Sequence, residues 1–146
     1  MKRFVLLSIQ PKHIRDIEAG LKKFEFRKIL PKFDDKTNKE ILLYCSKPKM
    51  KIIGRIRLNE YYSAPFEDLM NIVGADDAYK RRIANYFGER KICHAIKIDE
   101  YVRYKYPLPL SELRLLMPGF VPGQSYRFLA ENSAIVEKLL KLNKHI

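Results

Sequence analysis

The sequence predicts a mixed α+β domain in which helices flank a small mixed β-barrel. Segments with the alternating apolar pattern of strands outnumber amphipathic helical segments. The two kinds of segment do not alternate strictly along the chain, which disfavours a doubly wound sheet. No internal repeat and no linker rich in Gly, Ser or Pro divides the 146 residues. We therefore expect residues 1–146 to form one domain.

The first half of the chain predicts mostly strands. A helix is expected after the first strand, because Pro11 favours a first helical turn and Gly20 favours a C-terminal stop. The segment 29–39 is expected to be a charged loop, and 47–49 a basic turn. The predicted elements are a strand at 4–9, a helix at 11–19, and strands at 23–28, 40–46 and 51–62.

The second half begins with a predicted helical insertion, at about 65–88. After a long strand, Pro107 and Pro109 are expected to end strand pairing. Ser111 is the expected cap of a short helix, and Asn132 or Ser133 the cap of the last one. The predicted elements are helices at 65–73 and 76–87, a strand at 91–106, a helix at 111–116, a last strand after a loop at 118–125, and a closing helix at about 132–143.

The charge of the chain is +12, and its distribution is uneven. Residues 1–57 hold 16 basic and 6 acidic residues, whereas residues 58–100 hold 6 and 8. A concentrated positive charge favours a polyanionic partner, because neutralising phosphates releases counterions; a generally basic protein surface is the other interpretation. The hydrophobic content of 47% argues against disorder, and no apolar run reaches the length of a membrane span. A cytoplasmic protein without membrane association is expected.

Two cysteines, Cys45 and Cys93, fall inside predicted strands and are expected to be buried free thiols. Neither has the neighbouring ligands that a zinc site requires. His13 and His145 are expected at the surface. The sequence shows no metal-ligand spacing, no glycine-rich phosphate loop and no Ser-His-Asp arrangement, so we expect neither a metal nor another cofactor.

The corner between the first helix and the second strand holds the most distinctive polar cluster. Strand alternation places Glu25 and Arg27 on one face, and Lys22 lies at the turn that follows Gly20. One interpretation is recognition of a phosphate or a base edge by this cluster, with Lys28 beside it. The other is a Glu25–Arg27 ion pair on a strand surface, contributing about 0.2–1 kcal/mol.

Two further polar clusters lie at the ends of predicted strands. The first comprises Tyr44, Ser46 and Lys47, and its lysine is expected at a barrel rim or in a solvated turn. The second comprises Gln124, Ser125 and Tyr126, whose amide and phenol groups suit a base edge and a stacking surface, or else a capped loop and a core tyrosine. The basic run 80–82 on a predicted helix is interpreted as a solvated face.

Taken together, these clusters resemble the ASCH domain family, a branch of the PUA-like superfamily. The family signature has the form GxKxxExR, and Gly20, Lys22, Glu25 and Arg27 match its four positions. The segments 7–12, 41–48 and 53–54 also look like the family's strands and first helix, and 124–126 is similar to a segment of related PUA-like proteins. The likeness extends from about Phe4 to Leu129, with the helices at 65–88 less characteristic.

The resemblance implies a small β-barrel with a cleft lined by the signature, and binding of RNA or a nucleotide. We expect an RNA-binding domain that takes a nucleotide or a short single-stranded segment in a basic cleft, with a role in RNA modification or in regulating transcription or translation. Its binding residues would be Gly20, Lys22, Glu25, Arg27, Lys28, Ser46, Lys47, Gln124, Ser125 and Tyr126. Protein partners are not indicated.

The alternative is a metal-independent hydrolase, either a ribonuclease or an amidohydrolase acting on a modified nucleoside. Lys22 would then be the activating or acid–base group, with Glu25 or Tyr44 as its partner. Lys22 matches the lysine of the amidohydrolase branch of the family. Glu25 stands where that branch has a threonine, and this difference argues against amidohydrolase activity.

Overall fold

The computed structural model describes residues 1–144, and His145 lies outside them. Within this range the chain forms eight strands and five helices, in the mixed α+β arrangement that the sequence predicts. The strands are β1 (Arg3–Ile9), β2 (Phe24–Arg27), β3 (Glu40–Cys45), β4 (Lys51–Arg57), β5 (Tyr61–Ala64), β6 (Cys93–Lys97), β7 (Tyr101–Pro109) and β8 (Tyr126–Ala130). The helices are α1 (Pro11–Glu18), α2 (Phe66–Val73), α3 (Asp77–Phe87), α4 (Leu110–Leu116) and α5 (Ala134–Leu142).

The strands pair into two sheets. The larger has the order β7-β4-β3-β1-β8, with β1 parallel to β3 and the other pairs antiparallel. The smaller has the order β2-β6-β5 and is antiparallel throughout. Closure of these strands into a barrel stays a prediction, since the pairing among residues 1–144 is that of two sheets.

Two predicted strands are each divided in the structure. The segment 51–62 forms β4 in the larger sheet and β5 in the smaller, and the segment 91–106 is divided in the same way into β6 and β7. Both predictions of a single strand were wrong, because apolar alternation continues while the backbone crosses between sheets. Residues 58–60 and 98–100 make the two crossings. The backbone N–H of Arg57, the last residue of β4, donates to the carbonyl of Glu100 in the second crossing at 3.2 Å, so the two crossings lie side by side.

The prolines near the end of β7 do not end the pairing as predicted. Pro107 and Pro109 both lie within β7, and Pro109 is paired with Lys51 of β4. They are tolerated because β7 is the edge strand of the larger sheet, where a missing N–H leaves no partner unsatisfied. Helix α4 begins at Leu110, so Ser111 is not its cap.

Three apolar cores hold these layers together. Helices α4 and α5 cover one face of the larger sheet, and α1 covers the other. The third core joins α2 and α3 to the smaller sheet around Leu69, Ile83 and Phe87. Cys45 and Cys93 are buried free thiols, as predicted. The Ser133 hydroxyl caps α5 by accepting a hydrogen bond from the Val136 N–H at 3.3 Å.

None of the helices within residues 1–144 is both long enough and apolar enough to cross a bilayer.

Candidate functional site

A cleft of about 1050 Å³ opens between α1, strand β2 and helix α3, beside the ends of β1 and β3. Among the described residues that line it, five are basic and two are acidic, so the cleft is positively charged. The basic residues are Lys12, Lys22, Lys23, Arg27 and Arg82, and the acidic ones are Asp16 and Glu25. Three of the four predicted signature residues, Lys22, Glu25 and Arg27, line this cavity.

The end of α1 places Lys22 at the edge of this cleft. Gly20 adopts a left-handed conformation with φ +73°, which glycine accepts without strain. The chain reverses there, and the backbone N–H groups of Leu21 and Lys22 both donate to Asp16 O, at 2.9 and 3.1 Å. Such a terminus resembles a Schellman turn. Gly20 therefore acts through the backbone and is not itself among the residues that line the cleft.

Lys22, Glu25 and Arg27 form one connected ionic cluster. The Lys22 ammonium lies 3.3 Å from Glu25 Oε1, and an Arg27 Nη lies 2.7 Å from Glu25 Oε2. Glu25 is only 4% exposed and Arg27 only 8%, although both were predicted to lie on the polar face of a strand. The prediction of an ion pair at the surface is therefore wrong: the Glu25–Arg27 pair exists but is buried, because α1 and the larger sheet cover this face of β2.

The Arg27 guanidinium fastens the smaller sheet to the larger one. Its Nε donates to Glu25 at 2.9 Å, one Nη donates to the Ser8 carbonyl at 2.7 Å, and the other donates to the Ser125 carbonyl and hydroxyl, each at 3.3 Å. All three nitrogens thus have protein acceptors. This geometry makes Arg27 a positioning residue that holds Glu25 and the strand ends in place.

The Lys22 ammonium retains donor capacity. An ammonium has three N–H donors, and among residues 1–144 its one ion-pair partner is Glu25. The Lys22 side chain is only 11% exposed, so its charge is concentrated inside the cleft. Because Glu25 is shared by two cations, the cluster keeps an excess positive charge, and it is suited to an anionic group.

His13 also lines this cleft and is half-buried, whereas the sequence predicted a surface position. Burial and the nearby Lys22 charge lower the pKa of His13, while Glu25 and Asp16 act in the opposite direction. A neutral imidazole is therefore favoured near neutral pH in the empty cleft.

Helix α3 forms the opposite wall, with two tyrosines and an arginine. Tyr79, Arg82 and Tyr86 line the cleft, and the Arg82 guanidinium lies 5.4 Å from the centre of the Tyr79 ring. Tyr79 packs edge-on against Phe26 of β2 at 6.0 Å between ring centres. Burial raises the pKa of both tyrosines, so both phenols are neutral near pH 7.

The remaining predicted site residues separate into those at the cleft and those elsewhere. Gln124 and Ser46 line it, and Ser125 adjoins it through Arg27. The Lys28 ammonium lies 5.3 Å from the Tyr86 ring centre, at the outer side of the same wall. Lys47 is in an exposed turn and is not among the lining residues.

Both predicted tyrosines pack into cores. Tyr44 is 4% exposed and belongs to the core under α4 and α5, where burial raises its pKa. Tyr126 is half-buried and packs against Phe128 at 5.8 Å. Neither is among the residues that line the cleft.

Several lining residues were not predicted from the sequence. His13 and Lys12 follow Pro11 on α1, and Arg82 was assigned to a solvated face with its basic neighbours. A signal was present on α3, since Tyr79 and Tyr86 are seven residues apart in the sequence, a spacing that places them on one helical face. Aromatic residues beside a basic run are typical of nucleic-acid surfaces.

Solved structures include proteins with the same fold as this two-sheet domain. The chain is similar to the ASCH protein from Zymomonas mobilis, with a TM-score of 0.78 and 22% identity, over 94% of each chain. Two variants of that protein, one replacing a serine by alanine and one a tyrosine by phenylalanine, align with TM-scores of 0.77 and 21% identity, over 94% of this chain and 94% and 96% of theirs.

These matches define the chain as a protein with the ASCH fold. The predicted resemblance to ASCH domains is thereby confirmed at the level of the fold. Comparison with protein-family models finds no match. Comparison with curated protein sequences finds none either.

Proposed function

We propose that this protein is an ASCH-type, PUA-like domain that binds single-stranded RNA or a nucleotide in the cleft between α1, β2 and α3. The observation that carries the proposal is the Lys22 ammonium, which is almost fully buried and held by Glu25, yet keeps donors for an anion. Every nucleotide carries a phosphate, whatever its base, and this phosphate is the anion that we expect to meet Lys22. Lys12, Lys23 and Arg82 add positive charge around the same volume.

The tyrosines of α3 support a nucleotide over a simple anion. Tyr86 is 42% exposed at the cleft wall, so its ring can be reached by an unpaired base. Stacking of a base on an aromatic side chain contributes about 1–3 kcal/mol. Gln124 supplies an amide that can meet a base edge. A duplex does not fit this arrangement, because stacking on Tyr86 requires an unpaired base.

The direct test is the salt dependence of RNA binding. We expect fluorescence anisotropy to show binding of a single-stranded RNA that weakens about 15- to 20-fold between about 50 and 200 mM salt, since three phosphate contacts on a single strand give a log–log slope of about −2. The duplex of the same sequence is the control and should bind more weakly. Binding that does not change with salt, or a preference for the duplex, would contradict the proposal.

The pH dependence of the same binding tests the place of His13. We expect affinity for an RNA without terminal phosphates to rise about two- to tenfold from about pH 7.5 to 6, since a pKa change of one unit corresponds to a factor of about ten. In the free protein the pKa of His13 is lowered by burial and Lys22, against the opposing effects of Asp16 and Glu25. A phosphodiester beside the imidazole raises it again, so binding takes up a proton.

The controls for this measurement are two histidine variants. His13→Gln should lose the pH dependence, whereas His94→Gln should keep it, because His94 is hydrogen-bonded to Ser63 and is not among the cleft residues. Terminal phosphates are omitted from the RNA because they titrate near pH 6 themselves. An unchanged pH profile in His13→Gln would show that another group is responsible.

The alternative function, a metal-independent ribonuclease, is supported by one observation. His13 lies in the same cleft as Lys22 and Glu25, and its lowered pKa favours the neutral imidazole that a general base requires. Tyr44, which was the other predicted partner of Lys22, lies in a core and not in this cleft. This alternative would be supported if the wild-type protein cleaved RNA and both Lys22→Ala and His13→Ala did not. If the wild-type protein left RNA intact, binding would be its only function at this site.

A further inference from the structure

A second basic surface lies on the other side of α1. It surrounds a shallow depression of about 50 Å³ whose lining includes four basic residues. The name second basic surface is used below for these four: Arg15, Lys49, Lys51 and Arg103. One acidic residue, Glu18, lies among them. Its carboxylate accepts a hydrogen bond from the Tyr101 hydroxyl at 2.8 Å and lies 3.5 Å from Arg103.

The other three basic side chains of this surface lack an acidic partner. Among residues 1–144, no salt bridge or side-chain hydrogen bond joins Arg15, Lys49 or Lys51 to a carboxylate. Arg15 and Lys49 are exposed, and Lys51 is half-buried at the start of β4. Four positive charges held together with a single acidic residue attract a polyanion and release counterions when it binds.

The second basic surface adjoins the cleft at two places in the backbone. Pro11 lines the depression and its neighbour Lys12 lines the cleft. In the same way Cys45 lines the depression, while Ser46 lines the cleft. Because consecutive Cα atoms are about 3.8 Å apart, the residues that line the two cavities are contiguous along the backbone at each junction.

We propose that one RNA strand passes from the cleft, across the ends of β1 and β3, onto the second basic surface. The inference rests on the proposed function and extends it, since it assigns the protein a strand of several nucleotides rather than a mononucleotide. The exposed turn that carries Lys47 lies between Ser46 of the cleft and Lys49 of the second surface. Lys47 therefore belongs to the chain segment that joins the two surfaces.

The shape of the second surface favours an RNA strand over an acidic protein. A depression of about 50 Å³ is too small to enclose an anchoring side chain, which protein interfaces use for affinity. A nucleic-acid backbone needs only successive positive charges along its course, and lysine ammonium groups serve as such point charges. Single-stranded nucleic acids commonly occupy about 4–16 nucleotides on one small fold.

The test compares oligonucleotide lengths and a pair of lysine substitutions. Single-stranded RNAs of about 2 and 12 nucleotides, without terminal phosphates, are titrated against wild type and the variant Lys49→Gln/Lys51→Gln. We expect wild type to bind the longer RNA more tightly. The variant should bind the dinucleotide as tightly as wild type but the longer RNA about 2- to 30-fold more weakly, the range expected for losing two exposed charge contacts.

A charge-matched control removes two lysines elsewhere. Lys138→Gln/Lys141→Gln lowers the net charge equally on α5, and neither residue lines either cavity. If this control weakens the longer RNA as much as the Lys49/Lys51 variant does, or if wild type binds both lengths equally, the proposed path is wrong while binding in the cleft stands. If wild type binds no RNA of either length, the proposed function fails, and the path fails with it. Dinucleotide binding by the Lys49/Lys51 variant shows that its cleft is folded.

Discussion

Replacing Lys22 by alanine is expected to weaken binding of single-stranded RNA by about 10- to 150-fold, because a hydrogen bond to a charged group contributes about 1.5–3 kcal/mol. The side chain is 11% exposed, so the attraction between this ammonium and a phosphate is less screened by solvent than it would be at an exposed lysine. No other basic residue among residues 1–144 is held on Glu25 at the cleft wall except Arg27, whose nitrogens already have protein acceptors.

The matched control for this substitution is Lys23→Ala. Lys23 is the next residue in the chain and also lines the cleft, but no ion pair holds it within the described residues. We expect its affinity to fall by less than about fivefold, as for an exposed charge worth about 0.2–1 kcal/mol. Anisotropy titrations at one salt concentration measure both variants. Equal losses in the two would show that the cleft attracts RNA by general charge only.

The same two variants should remain folded. After Lys22→Ala, Glu25 still has its 2.7 Å ion pair with Arg27, so no buried carboxylate is left alone. We expect the free energy of unfolding to stay within about 1 kcal/mol of wild type, the usual range for such a position. A binding loss that is accompanied by a large loss of stability would have to be attributed to folding.

Replacing Glu25 by glutamine is expected to lower the free energy of unfolding by about 3–5 kcal/mol, the usual cost of leaving buried charges without their partner. Glu25 is the counter-charge for both Lys22 and Arg27, and it is 4% exposed. Without it two cations face each other in a covered site. A change of this size is a large part of the about 5–15 kcal/mol that stabilises a typical domain.

Glu40 provides the comparison, because it also pairs with two arginines. Its side chain is 24% exposed, and it contacts Arg55 and Arg57 of β4 from the first residue of β3. Solvent weakens such pairs, so Glu40→Gln should cost about 0–1 kcal/mol. Urea denaturation followed by circular dichroism measures both variants. If Glu25→Gln lowered the free energy of unfolding no more than Glu40→Gln, the cluster would not stabilise the contact between the two sheets as its hydrogen bonds indicate.

The elements around the site could be predicted from local patterns. Pro11 and Gly20 mark the two ends of α1, and the alternation of Phe24 and Phe26 with polar residues marks β2. Both signals depend on neighbours within a few residues, so they survive any tertiary arrangement. The same local reasoning failed at residues 58–60 and 98–100, where strands change sheets without a break in the apolar pattern.

The site itself could be predicted only in part. The signature at Lys22, Glu25 and Arg27 is compact in the sequence, and its three side chains do meet. Tyr44 and Tyr126 were included because their phenols suit base recognition. Their positions depend on which face of β3 and of β8 packs against a core, and strand alternation alone does not reveal which face is covered.

The sequence by itself determined the strand-helix-strand corner, the basic character of the first 57 residues and the four-position signature, because each is set by residue type and short spacing. Only the tertiary structure decided what the corner faces. Arg27 reaches Ser125, 98 residues away in the chain, and α3 places Tyr79, Arg82 and Tyr86 across from Lys22. Such contacts depend on how the two sheets and the inserted helices pack. Packing depends on the whole chain. For this reason the Glu25–Arg27 pair, which the sequence predicted at the surface, is part of a buried cluster within a cleft.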